Sequence, residues 1–366
     1  MLPRMAEVHG TCDPQFAPVR DAFAATLDTA DVGASLAVFR DGRPVLDLWG
    51  GHVDEARTTP WERDTIVNVW STTKTMAALC VLVLADRGAL DLDGPVAAHW
   101  PEFAAHGKDA VLVRHVLAHT AGLPTWDRPI TVEDLYDHPK AAALLADQPT
   151  RWPAGEVGCY HSLTQGYLLG ELVHRVTGRS LGAFFAEDVA GPLGADFHIG
   201  LAAHDRVAPI IPAERGPRPT PTALFDAPPN PEIDPAVANT EAWRRAEVPS
   251  ANGHGNARSV AAVQSVLACG GTMNGVRLLS PETCARVLEE QYAGMDHQLG
   301  VPMRYGLGYA LSGDTCSWGG WGGSLVVVDP GNRLTVAYAM NRMLERGPLG
   351  DDRGMNLVLA AYGSLG

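Results

Sequence analysis

Near the start of the chain, Phe16, Val19, Phe23 and Leu27 recur at helical spacing, and Pro18 falls in the first turn, where a missing N–H costs nothing. That stripe predicts a first helix. Two strand-like runs follow, residues 34–40 and 44–49, and Asp41-Gly42 between them is a strong hairpin signal. The run 71–87 carries no charge between Lys74 and Asp86 and ends at Gly88, a natural helix stop. A helix apolar on nearly every face is a buried one. Residues 90–200 alternate helical patterns with Gly/Pro turns, and strand patterns are scarce there. From about His204 to Pro249 the chain turns proline-rich and loses periodicity. Such an irregular excursion is expected to form a lid or pocket wall. Helices are predicted over 259–268 and 281–290, then strands over 305–311, 324–328 and 334–340. Pro330-Gly331-Asn332 turns the last two, and a closing helix spans 355–364.

Strand patterns thus lie at both ends, with helices between. The economical fold is α+β: one antiparallel sheet built from N- and C-terminal segments, flanked by helices, with an inserted all-helical domain. The expected division is a discontinuous sheet domain over 1–90 and 250–366. A mainly helical domain over 91–249 would hold the proline-rich excursion at about 204–249. No internal repeat or low-complexity tract interrupts this plan.

Composition narrows the function classes. The 366 residues are 46% hydrophobic and 19% charged, as in a soluble globular protein, and the formal charge is -14. That charge argues against nucleic acid and anionic membrane as partners. The six cysteines are scattered without a Cys-x-x-Cys pair, which suits neither a disulfide framework nor a zinc site. Residues 1–16 have no apolar signal core, and the apolar run 76–85 is too short to span a bilayer. A reduced, cytoplasmic protein is the expectation; oligomeric state is unreadable. His119, His161 and His254 stand apart in the sequence and no His-Glu-x-x-His occurs, so no metal is expected. The glycine-rich stretches lack phosphate-loop and dinucleotide patterns, so no cofactor is expected either.

Three segments carry candidate chemistry. The chain has only three lysines, and Lys74 follows Ser71 by three residues in Trp70-Ser71-Thr72-Thr73-Lys74. One helical turn apart, the two share a face, so the amine can reach the hydroxyl and act as base to a serine nucleophile. Placement in the first turn of a buried helix disfavours a protonated lysine. Ser-x-x-Lys alone is a weak signal, and an incidental lysine at a helix start is the plainer alternative. Second, Tyr160 and Ser162 follow a glycine-rich turn in Gly158-Cys159-Tyr160-His161-Ser162. A phenol projected into a cleft is a usable proton shuttle, although a loop tyrosine more often only packs its ring. Third, Trp318-Gly319-Gly320-Trp321-Gly322-Gly323 leads into a strand. Glycines let a backbone approach substrate closely, and a free N–H there can serve an oxyanion hole.

Together these segments resemble the serine β-lactamase and penicillin-binding-protein superfamily, and within it the family VIII carboxylesterases most closely. The resemblance extends to His119-Thr120-Ala121-Gly122-Leu123-Pro124, Pro192-Leu193-Gly194-Ala195-Asp196 and Gly253-His254-Gly255, in matching order. It implies Ser71 as acylated nucleophile, Lys74 as base and Tyr160 as partner in proton transfer. It also implies an oxyanion hole from the N–H groups of Ser71 and Trp321, with Ser162, Trp318, Gly319, Gly320 and Trp321 lining the substrate site. Two departures bear on substrate. β-Lactamases of this type carry Tyr-x-Asn where Ser162 stands here, and Lys-Thr-Gly where Trp318-Gly319-Gly320 stands. Losing that lysine removes a cation that would meet a β-lactam carboxylate. The expectation is a serine carboxylesterase for small or medium uncharged esters. An acyltransferase, transesterase or transamidase on the same scaffold is the alternative. A β-lactamase or D-peptidase fits less well, and a non-catalytic binding protein is the reading from another class. No Gly-x-Ser-x-Gly elbow occurs, which argues against the α/β-hydrolase fold.

Overall fold

The structure is a computed structural model that describes residues 7–202, 206–213, 229–344 and 351–365. Its centre is a nine-stranded antiparallel sheet. In chain order the strands are β1 (Val8–Cys12), β2 (Gly33–Arg40), β3 (Arg43–Gly51), β4 (Tyr292–Met295), β5 (Pro302–Tyr305), β6 (Ala310–Ser312), β7 (Thr315–Gly319), β8 (Leu325–Asp329) and β9 (Leu334–Met340). Their spatial order is β1-β3-β2-β9-β8-β7-β6-β5-β4. The N-terminal and C-terminal segments therefore meet where β2 pairs β9, with Ala37 opposite Ala337. The β2–β3 hairpin turns on Asp41 and Gly42, both at positive φ, as its sequence demanded.

Alternation along the central strands feeds two cores. Leu36 and Val38 of β2, Val327 of β8 and Val336 and Tyr338 of β9 face α1 (Ala17–Thr29) and the last helix, which contribute Phe23, Leu27, Leu357 and Val358. The intervening Ala37, Phe39, Val326, Val328, Ala337 and Ala339 belong to the larger core on the opposite face. Both faces being covered explains why these strands read as continuous apolar runs rather than alternating ones.

The larger core surrounds α2 (Thr73–Asp86), in which every residue from Thr73 to Leu84 is buried. It packs against α3 (Thr164–Thr177), while α4 (Ala257–Ala268) lies across β2, β8 and β9. The closing helix is α5 (Asp352–Gly363). A small second sheet joins Phe197–His198, His254–Gly255, Ile66–Asn68 and Val207–Ala208, and leads directly into α2. Among the described residues no helix is long and apolar enough to cross a membrane.

Several sequence expectations are corrected. The predicted strand 305–311 is two strands, because residues 306–309 turn at Gly308, φ +89°. The helix expected over 281–290 stops at Val287 and gives way to β4. β1 and β7 were not anticipated as strands; β1 is an exposed edge without apolar alternation. The excursion at 204–249 lies partly outside the described residues (203–205 and 214–228). Its remainder holds Pro235–Asn239 and the short helix Glu241–Arg245.

Candidate active site

Ser71 does not sit in α2 itself, as spacing predicted, but in a single 3-10 turn, Trp70–Thr72, running straight into it. In such a turn side chains three apart eclipse, which aims Ser71 at Lys74. The turn starts from a strained residue: Trp70 has φ +47°, in the left-handed region that costs a bulky side chain ~1–2 kcal/mol. Packing holds it there. The Trp70 ring lies 5.8 Å from that of Trp243 and 5.1 Å from that of Trp321. Trp243, within the excursion, is fully buried and anchored by its indole N–H on Asn68 Oδ1 at 3.0 Å. It therefore braces Trp70 from behind and does not line the cleft.

The Ser71 hydroxyl is held from two sides. Tyr160 Oη donates to Ser71 Oγ at 2.7 Å, and Lys74 Nζ lies 3.2 Å from the same atom. Lys74 is 1% exposed, and its other partners are the carbonyls of Ser162 at 2.6 Å and Ser250 at 3.0 Å. None of the three is a carboxylate. A neutral amine has two N–H donors and one lone pair, which matches two carbonyls and one hydroxyl. Burial holds the Lys74 pKa well below the ordinary lysine range. The Tyr160 phenol is pushed up to about 12 by burial, against polar interactions with Ser71, Trp318 and Ser162 that pull it down. It stays a proton donor at neutral pH.

The glycine-rich segment forms the β7–β8 hairpin and docks onto this turn. Ser324 Oγ donates to Val69 O at 2.8 Å, which obliges Thr72 Oγ1 to donate to Ser324 Oγ at 3.0 Å. Gly320 is pressed so close that a Cβ there would stand 2.2 Å from Val69 O. Gly320 O accepts from Gly323 N at 3.1 Å, closing a turn in which Gly322 takes φ +89°. The N–H groups of Ser71 and Trp321 make no hydrogen bond among the described residues. They are donors without a partner there.

The other expected residues are distributed unevenly. Ser162 is exposed at the cleft, and its carbonyl holds Lys74. Gly319 is half-buried at the end of β7, and Trp321 is 37% exposed. Trp318, expected to touch substrate, is only 7% exposed, its ring packed against His119, Tyr160 and Tyr305. It positions Tyr160 more than it offers surface.

Sequence reasoning missed several contributors. His119 and His161, apart in the sequence, are neighbours here: His161 N–H donates to His119 Nδ1 at 3.1 Å. Burial lowers both, His161 to about 4, so the pair is neutral and fixes the loop behind Tyr160. Tyr305 stacks behind the same cluster and donates to buried Asp296 at 2.7 Å. Ser250 had one available signal, its place just before Gly253-His254-Gly255, where Gly253 O accepts from Val69 N–H.

A serine hydroxyl between a buried amine and a phenol, on this sheet-and-helix frame, defines a serine hydrolase of the β-lactamase-like superfamily. The chain belongs to the Beta-lactamase family, whose family model matches residues 19–360. It is 36% identical over 360 residues to the esterase/beta-lactamase LipL of Mycobacterium tuberculosis, covering 92% of this chain and 83% of LipL. It is 31% identical over 354 residues to esterase EstB of Burkholderia gladioli, covering 87% of this chain and 88% of EstB. The crystal structure of a family VIII carboxylesterase superposes with a TM-score of 0.92 at 42% identity, covering 98% of this chain and all of that one.

Proposed function

We propose that this protein is a carboxylesterase that cleaves small or medium uncharged esters through an acyl-enzyme on Ser71. The observation that carries the reading is the Ser71 hydroxyl held between Tyr160 Oη and a Lys74 amine that has no carboxylate partner. Three esterase-named relatives support the substrate class.

In the proposed cycle Ser71 Oγ attacks the ester carbonyl carbon while its proton passes to Lys74 Nζ. The carbonyl oxygen becomes an oxyanion between the N–H groups of Ser71 and Trp321. Collapse breaks the bond to the alcohol. Tyr160 gives its phenolic proton to the departing alkoxide and is reprotonated from the Lys74 ammonium. Water then attacks the acyl-enzyme by the reverse proton path, releasing the carboxylic acid. No cation stands on β7 where an anionic substrate would need one: Trp318 and Gly319 end that strand and Gly320 follows. This favours neutral esters.

The test is a chromogenic ester panel run beside a chromogenic cephalosporin, with fluorophosphonate labelling of the protein. Neutral esters are expected to turn over, with kcat/KM falling at least about 10³-fold in Ser71→Ala and labelling abolished. Ester turnover that survives Ser71→Ala sinks the mechanism. Turnover of the cephalosporin alone overturns the substrate class.

A further inference from the structure

Directly behind the Gly320–Gly323 turn lies a buried ion network that the chemistry above does not use. Arg353, in the first turn of α5, is 6% exposed. Its Nη1 donates to Asp31 Oδ1 at 2.5 Å and to Arg342 O at 3.0 Å. Its Nε donates to Asp351 Oδ1 at 2.8 Å and its Nη2 to Asp351 Oδ2 at 2.7 Å, a two-point fork. The same Nη2 reaches Gly322 O at 2.6 Å. Tyr338 Oη closes the set on Asp31 Oδ2 at 2.5 Å.

Buried ion pairs are weak contributors to stability, and apolar side chains of similar volume often do as well. Two carboxylates, one guanidinium and a phenol inside the fold therefore ask for another reason. The guanidinium ends on the backbone of the turn that carries Trp321. Gly322 O otherwise receives only the N–H of Leu344, at 3.2 Å, among the described residues. The Trp321 N–H belongs to the same four-residue turn, one residue before the gripped carbonyl. We propose that Arg353 is a positioning residue for acyl transfer: by holding the Gly322 carbonyl it fixes the direction of the Trp321 N–H toward the oxyanion. This rests on the acyl-enzyme reading above. A rigid planar fork suits the task, because it binds Asp351, Asp31 and the carbonyl at fixed angles, which a lysine point charge does not.

The experiment compares Arg353→Lys, Arg353→Met and Asp31→Asn with wild type. It reads kcat and KM on one neutral ester, affinity for an alkylboronic acid whose tetrahedral adduct places an oxygen in the hole, and melting temperature. In Arg353→Met, kcat and boronate affinity are expected to fall together by roughly 10- to 100-fold while KM stays within about twofold. Arg353→Lys restores melting but not kcat. Should Arg353→Met fail to fold, the Lys and Asn variants carry the test, with Asp31→Asn losing several-fold in kcat. Folded Arg353→Lys with wild-type kcat and boronate affinity overturns the proposal, as does a kcat loss without loss of boronate affinity. Wild type and Ser71→Ala run alongside separate the two levels. Absence of Ser71-dependent turnover in wild type fells the acyl-enzyme reading and this inference with it. Normal wild-type turnover matched by the Arg353 variants fells this inference alone.

Discussion

Two of the three lysines are buried to the same degree, 1% exposed, and they do opposite things. Lys108 Nζ donates to three carbonyls, those of Ala105 at 2.8 Å, Ala146 at 2.9 Å and Gln148, and sits 5.3 Å over the Phe103 ring. Lys74 Nζ donates to two carbonyls and meets a hydroxyl, 4.8 Å over the Tyr160 ring. Three acceptors saturate an ammonium, so Lys108 is a charged clamp that ties the end of the helix His138–Ala146 to the following loop. Burial lowers its pKa, but Asp147 pulls the other way. Lys74 has no such counterweight. Its third partner, the Ser71 hydroxyl, can give a proton as well as take one. What sets Lys74 apart from Lys108 is thus the identity of its third neighbour, more than burial itself.

Truncating each lysine tests that contrast most directly. Lys74→Met is expected to lower kcat/KM by roughly 10³-fold or more, with the protein folded. Lys108→Met leaves three carbonyls without a donor and is expected to lower stability by about 3 kcal/mol, with kcat/KM of the folded protein unchanged. Ester turnover and denaturant midpoints of the two variants decide it. Loss of turnover in Lys108→Met at unchanged stability would dissolve the distinction.

Tyr160→Phe asks whether the second contact to Ser71 is chemical or only structural. The ring keeps its packing on Trp318 and His119, while the 2.7 Å bond to Ser71 Oγ is lost. kcat is expected to fall by about 10²-fold. A drop smaller than threefold would move leaving-group protonation to another donor.

The pH profile sharpens the comparison further. Lys74 must be neutral to accept the Ser71 proton, so kcat/KM rises with pH through the Lys74 pKa. Because burial depresses that value, the acidic limb is expected well below the ordinary 10.5 of a lysine. Tyr160, at about 12, keeps its proton, so no alkaline fall from it is expected below that region. His161, at about 4, is neutral throughout and adds no second step near neutrality. A limb centred near 10 would mean that Lys74 is an ordinary ammonium.

The legible and illegible parts of this site divide on physical lines. Ser71 and Lys74 could be paired from sequence because a helical turn brings residues three apart together. The β2–β3 hairpin and α1 were readable for the same reason, since turn chemistry and apolar period are local signals. The proximity of Tyr160 to Ser71 came from resemblance, for no local rule spans 89 residues. The His119–His161 pair, the bracing of Trp70 by Trp243 and the grip of Arg353 on Gly322 were invisible, because each is set only when distant elements pack. Trp318 shows the limit of resemblance, which implied a substrate wall, whereas its ring packs with Tyr160, His119 and Tyr305.

The smallest expected effect concerns a buried charge that does have partners. Asp31 is 1% exposed, and burial raises its pKa from 3.8 to about 6, even though Arg353 and Tyr338 pull it down. The folded protein therefore holds the Asp31 proton more tightly than the unfolded chain does. Stability from this group is fully present below about pH 4 and is lost as pH rises through about 6. Its size is roughly 2–3 kcal/mol, from ~1.4 kcal/mol per unit of pKa. Other carboxylates run the opposite way, Glu171 being held near 2 by the His138 ring 3.7 Å away and by Arg175 at 2.7 Å, so total stability hides the contribution. The difference between wild type and Asp31→Asn isolates it. Denaturant melts at pH 7 and pH 4.5 are expected to show wild type gaining on the variant at the lower pH. A difference that is flat, or that moves toward the variant on acidification, would mean that Arg353 fully compensates Asp31. The guanidinium fork would then offset the whole cost of burying that carboxylate.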